Sequence, residues 1–170
     1  MNFQFYLEKL YGSEEFADFK KEFADAYLCS GFFVLDKEKK EGNKAHIDFY
    51  VPSFNKMFSF QLEKGVEKVP VEKFQENPAR LNDNLDFDFE KIEAMILEKM
   101  ASENVTSKIQ TILLSLQNLE GKEFLVGTIF ISALGMIKIG IDLSKMELVD
   151  FEKKSFMDMF RIVKKEDNKK

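Results

Sequence analysis

With 170 residues, 45% of them apolar and 32% charged, the chain can build one packed domain, or two small halves sharing a core. Its net charge of −5 leaves no basic stripe to neutralise phosphates, which argues against a nucleic-acid binder. The single cysteine, Cys29, excludes an intramolecular disulfide framework and fits a reducing compartment, so a cytoplasmic location is expected.

In chain order, Asn2 to Tyr11 places Phe3, Tyr6, Leu7 and Leu10 on one helical face, and Gly12 is a plausible stop. Ser13 has the chemistry of an N-cap, with Glu14 and Glu15 at the positive end of the helix dipole. Phe16, Phe19, Phe23 and Tyr27 then recur at helical spacing as a core-facing stripe. From Ser30 the period changes to alternation. Ser30 to Asp36 reads as a strand, Lys37 to Lys44 as a solvated turn, and Ile47, Phe49 and Val51 as one face of a second strand. Pro52 to Asn55 turns the chain, Phe58, Phe60 and Leu62 alternate again, and Val69 and Val71 belong to a short strand or extended tail.

Gln75 to Asp86, with Pro78 and three asparagines, breaks every period and marks a boundary, so 77–87 is expected to link two halves. Asp88 then caps a helix whose stripe is Phe89, Ile92, Ile96 and Met100, with Asn104 as its stop. Ile109 to Gln117, Phe124 to Ser132 and Met136 to Leu143 read as strands, with turns at Asn118 to Lys122 and around Gly135. The most apolar stretch, Gly127 to Leu143, contains Lys138 and Asp142 and is too short for a membrane span. Nor does Met1-Asn2-Phe3-Gln4 open a basic and then apolar export signal. Beyond Lys153, Phe156, Met157, Met159, Phe160 and Val163 suggest a short terminal helix, followed by a basic end.

Two octapeptides tie the halves together. Val66 to Lys73 (VEKVPVEK) and Met146 to Lys153 (MELVDFEK) share four of eight residues, and each closes a run of helix, strand, turn, strand, turn, strand. The expected fold is therefore α+β: two helix-plus-three-strand antiparallel repeats, 1–76 and 88–153, forming one pseudo-symmetric domain, with a short C-terminal helix and tail at 154–170. The halves join through apolar strand faces or a continuous sheet, and the 19 phenylalanines fill the joint. In this register Asn55 and Gly135 fall at equivalent turns, as residues able to take positive φ.

No motif for chemistry emerges. His46 is the single histidine, and no ligand spacing pairs it with Cys29 for zinc. A nucleophile–base pair of the two fails on geometry: a hairpin centred near Glu41 sets Cys29 opposite Pro52, about 20 Å along the strand from His46. Asp83, Asp86, Asp88, Glu90 and Glu93 lack the alternating ligand pattern of a calcium loop and read as a solvated helix entry. No metal, cofactor or catalytic residue is expected.

The last hairpin of the second half, Ile137-Lys138-Ile139-Gly140-Ile141-Asp142, then Leu143 to Met146, then Leu148-Val149, resembles that of PepSY-type units, in which one amphipathic helix precedes an antiparallel meander. The first half carries Phe58-Ser59-Phe60-Gln61-Leu62-Glu63, Lys64-Gly65, then Val66 to Val71. The turn glycine of such units is present as Gly65 and replaced around Ser144-Lys145. The resemblance implies a non-catalytic inhibitory or binding module.

The expected function is accordingly a non-enzymatic cytoplasmic binding or regulatory protein, acting on an unidentified protein partner through a sheet edge or through Phe156, Met157, Met159 and Phe160, with homodimerisation as its simplest form. The alternatives are a small-ligand carrier or enzyme with an apolar cavity between helix and sheet, near Tyr50, His46 or Tyr27, and a secretion-chaperone-like dimer.

Overall fold

The computed structural model of the chain describes residues 2–155. The expected terminal helix, with its candidate partner-binding residues Phe156, Met157, Met159 and Phe160, lies outside them.

The fold is α+β, with three helices and one antiparallel sheet of eight strands. Helices α2 (Glu14–Glu22) and α3 (Phe89–Ser102) begin where the caps Ser13 and Asp88 predict, and α1 (Phe3–Tyr11) opens on Asn2. The side chain of Asn2 accepts from Phe5 N–H, Ser13 from Phe16 N–H, and Asp88 from Glu90 and Lys91 N–H. Buried on them are Phe3, Leu7 and Leu10 of α1, Phe16 and Phe19 of α2, and Phe89, Ile92, Ile96 and Met100 of α3; the expected stripe of α2 does not run on, since Phe23 caps the helix and Tyr27 opens a strand. None of the described helices is long and apolar enough to cross a membrane.

The strands are β1 (Tyr27–Asp36), β2 (Lys44–Val51), β3 (Lys56–Gln61), β4 (Glu67–Val71), β5 (Ile109–Leu119), β6 (Lys122–Ile131), β7 (Gly135–Asp142) and β8 (Glu147–Ser155). Their order across the sheet is β4-β3-β2-β1-β5-β6-β7-β8. Each half is thus a meander of four strands, one more than expected, and the two meanders join edge to edge where β1 pairs with β5, from Gly31 opposite Leu116 to Asp36 opposite Thr111. The fourth strand in each half is the octapeptide: the two related sequences form the two outer edges of the sheet. Lys154 and Ser155, which composition assigns to the tail, still pair with Met136 and Gly135.

Alternation decides the two faces. Side chains such as Ile47, Phe49, Phe60, Ile112, Leu114, Leu125, Ile129 and Ile139 point toward the helices and are buried. The phenylalanines do less at the joint than expected. Phe16, Phe19, Phe23, Phe49, Phe58 and Phe60 pack edge to face or tilted beneath α2, and a second group, Phe3, Phe33, Phe87 and Phe89 with Tyr6, gathers where α1 meets the start of α3. At the central seam stand only the adjacent Phe32 and Phe33 of β1, opposite Ser115 and Leu114 and on opposite faces of the sheet.

Two turns depart from expectation. Asn55 takes a left-handed φ of 46°, but Gly135 does not share its role: the positive φ values of the β6–β7 turn fall on Ala133 (63°) and Leu134 (56°). Gly135 is instead required by space, since a Cβ there would come within 2.8 Å of the Ile131 side chain. The 77–87 linker, though mostly exposed, is tied to the rest of the fold. Leu81 is buried, Phe87 stacks on Phe3, and Leu81 N–H donates to Leu28 O at 2.9 Å.

Candidate functional site

Residues of opposite parity along the strands face away from all three helices, and on that face lies a cleft of about 970 Å³. Its floor is set by β1, β2 and β5. Asp48 sits at the centre of β2, accepting from Ser30 Oγ at 2.7 Å and from the Ser59 hydroxyl. Cys29 Sγ donates to the Asp48 carbonyl at 3.4 Å, and Gln117 Nε2 donates to Ser115 Oγ at 2.9 Å.

A β-bulge builds this floor. Between Leu28 and Ser30 the register with β2 slips by one residue, so Cys29 is inserted opposite no partner of its own. Leu28 faces the helices, fully buried, while Cys29 and Ser30 both line the cleft. The observed hairpin register also differs from the sequence-based one. Ser30 pairs with Asp48 and Phe33 with Ala45, so Cys29 lies beside Asp48 and not opposite Pro52.

The walls come from connections. On one side the chain leaving β4 contributes Lys73, Phe74, Gln75, Pro78 and Ala79, and on the other the β5–β6 hairpin contributes Leu119, Glu120, Lys122 and Phe124. The linker is strapped across the ends of the strands by specific contacts. Tyr27 Oη donates to Pro78 O at 2.7 Å, and Asn118 Nδ2 donates to Arg80 O at 2.7 Å. The Arg80 guanidinium lies over the Tyr27 ring, 4.7 Å from its centroid. The Tyr50 hydroxyl reaches Asn55 Oδ1 at 2.9 Å and Asn77 Oδ1 at 3.2 Å, and its ring meets that of Phe74. Composition reads this linker as a boundary; the fold makes it a wall.

Burial, with the nearby Asp48 charge, pushes the Cys29 thiol up to about 12, so it stays protonated at neutral pH and is a poor nucleophile. Burial also raises Asp48 above the ordinary carboxylate range, against the opposing pull of Ser30, Ser59 and His46. His46 turns elsewhere: its Nε2 lies 2.8 Å from Glu63 Oε1 in a separate hollow of about 420 Å³. The structure therefore brings together Cys29, Ser30, Asp48, Ser115 and Gln117, and leaves His46 out. Among the described residues, no group of three or more His, Cys, Asp or Glu side chains converges as a metal site.

Other sequence candidates resolve into local structure. Asp88 caps α3, Asp86 accepts from Asn2 Nδ2 and Gln4 N–H, and Glu93 pairs with Lys37. Asp142, the last residue of β7, accepts from Ser144 N–H, Ser144 Oγ and Lys145 N–H and thereby closes the β7–β8 turn. A cavity between helix and sheet near Tyr27 amounts to a hollow of about 280 Å³ at the rim of α2, bordered by Phe16 and Phe49. The larger cleft is on the opposite face. One sequence signal could have located it. Leu28 and Phe33, both inward, are an odd number of residues apart, which a regular strand forbids and a bulge explains.

No protein-family model matches the chain, and no curated protein matches its sequence. Among solved structures, the crystal structure of a "putative lipoprotein" from Clostridium difficile 630 is similar, with a TM-score of 0.56 and 14% identity, covering 83% of this chain and 91% of that one. At this level of identity, what the two chains share is the fold.

Proposed function

We propose that the chain is a non-enzymatic binding protein that seats a protein partner on the helix-free face of its sheet, with the cleft over Asp48 as the anchoring point. The observation that carries this reading is the asymmetry of the sheet. Three helices cover one face, while the other holds a broad cleft whose walls are held by side-chain contacts and whose floor offers hydroxyl, amide and carboxyl groups. Convergent polar groups without a paired nucleophile and base suit recognition better than turnover.

The sheet edges support the reading less well. Strand addition needs a run of free backbone N–H groups; β4 contains Pro70, and β8 is bulged near Val149 and carries Asp150, Glu152, Lys153 and Lys154. The PepSY resemblance, as an expectation from sequence, implies a binding module and is in line with this proposal. A reducing, cytoplasmic setting is proposed from the single buried thiol of Cys29.

The test is partner capture from the native cell with three proteins: the wild type, Ser115→Trp to fill the cleft, and Val149→Pro to disrupt the β8 edge. Loss of the same partner with Ser115→Trp alone supports the proposal. Loss with Val149→Pro alone transfers recognition to the edge and overturns it. Light scattering on the same samples separates homodimerisation from capture of a different protein.

A further inference from the structure

We infer that the partner segment seated in the cleft is an extended peptide whose one basic side chain, lysine or arginine, sits on Asp48 between two apolar ones. This rests on the reading of the cleft as a protein-binding site and names the chemistry it selects. Asp48 of β2 stands directly across the ladder from Ser30 of β1 and from Ser59 of β3, and takes a hydrogen bond from both hydroxyls. Donation by two hydroxyls favours the ionised carboxylate. Such a group has about four acceptor positions, so these two bonds leave others for a ligand in the cleft that Asp48 lines. Among the described residues no cation pairs with it. His46 pulls on it, but His46 is itself held by Glu63 in the neighbouring hollow. Lys73 and Lys122 border the cleft from its walls and are not among the groups that act on Asp48. A carboxylate already desolvated by the fold, with hydroxyl partners and no counter-charge, is the group on this floor that an incoming cation favours most.

Apolar groups bracket that seat at different distances. On one side Met57 of β3 lies opposite Val71 of β4, with Phe74 above them on the wall. Met57 is diagonal to Asp48, about 7 Å away. On the other side Phe124 of β6 pairs with Gln117, and Gln117 and Ser30 are the next residues out from the pair Gly31–Leu116. Phe124 is therefore in the same row as Asp48, three strand spacings or about 14 Å away. An extended chain advances ~3.3 Å per residue and repeats a face every second one, so residues two and four positions apart stand ~7 and ~13 Å apart. The fit is a basic residue with an apolar residue two positions away on one side and four on the other. The span of about 21 Å takes about seven extended residues; the same seven in a helix would reach only about 10 Å.

The experiment is selection of random peptides displayed on phage against the full chain, with Ser115→Trp and Asp48→Asn as comparison proteins. The expected result is peptides with a Lys or Arg at that spacing, bound by the wild type and excluded by Ser115→Trp. Replacing that lysine with norleucine in a selected peptide should weaken binding to the wild type by about tenfold or more, measured by fluorescence anisotropy. The same replacement should leave binding to Asp48→Asn unchanged. Peptides excluded by Ser115→Trp that carry no basic residue, or a norleucine version that binds the wild type equally, overturn this inference and leave the cleft reading standing. Peptides that Ser115→Trp still binds place the segment elsewhere and count against both. Enrichment of no peptide overturns the inference, while partner capture from the native cell still decides the reading.

Discussion

The two halves of the sheet face the same task and meet it with different side chains. Under α2, strands β2 and β3 are packed by rings: Phe19 alone has its centroid within 6 Å of those of Phe16, Phe23, Phe49, Phe58 and Phe60. Under α3, strands β5 to β7 are packed by branched aliphatics, with Ile92 and Ile96 from the helix and Ile112, Ile129, Ile137, Ile139 and Ile141 from the sheet. The helices explain the difference. α2 has 9 residues and buries two of them, so each must fill a large volume; α3 has 14 and buries four, which spreads the same work over smaller groups. A short helix over a sheet calls for aromatic side chains, and a longer one can use Ile.

Substitution can break that contrast. The largest effect is expected from Phe19→Ala, at about 3–5 kcal/mol of stability by urea denaturation, because the void left among five rings cannot collapse. A double-mutant cycle of Phe19 with Phe60 sharpens the point. Coupling of about 0.5–1.5 kcal/mol is expected there, and near-zero coupling would make the rings mere volume.

On the aliphatic side the tightest point is Gly127, where a Cβ would lie 2.7 Å from Leu113 O and 2.9 Å from the Leu114 side chain. Gly127→Ala should cost about 1–3 kcal/mol, since backbone and not a flexible side chain must give way. A neutral result would show the second half to be loosely packed.

Leu134 is 71% exposed at a left-handed φ of 56°, so Leu134→Gly removes strain and little burial. A gain of up to about 1 kcal/mol is expected in thermal melts, and a loss would mean that its side chain packs against something. Asn55, left-handed in the turn before β3, is already a residue tolerant of that conformation.

The subtlest expectation concerns Asp48. Its carboxyl is raised from 3.8, mainly by burial, so its contribution to stability is fully present below that ordinary value and is lost as pH rises through the folded one. Asp48→Asn removes this dependence. Its stability relative to the wild type should therefore improve between pH 3 and pH 7, measured as the difference in denaturation midpoints. A constant difference would mean that Asp48 is not desolvated on the cleft floor.

Much of this was legible in the sequence for a local reason. Caps at Ser13 and Asp88 act within three residues, helical stripes within four, and strand alternation within two. Hence the three helices and six of the eight strands follow from short windows, while β4 was open between strand and extended tail. The fourth strand of the second half was visible only as a repeated octapeptide, because MELVDFEK is an edge, polar on one side and weakly patterned.

What sequence alone determined is where α2 and α3 start, which stretches alternate as strands, and much of which side chains turn inward. Tertiary structure alone decided that β1 pairs with β5, that a bulge presents Cys29 and Ser30 together, and that the linker becomes the wall of a cleft. Each of these depends on groups far apart in the chain, such as Val34 opposite Leu113 or Tyr27 bonded to Pro78, and such pairings are chosen by the packing of the whole sheet.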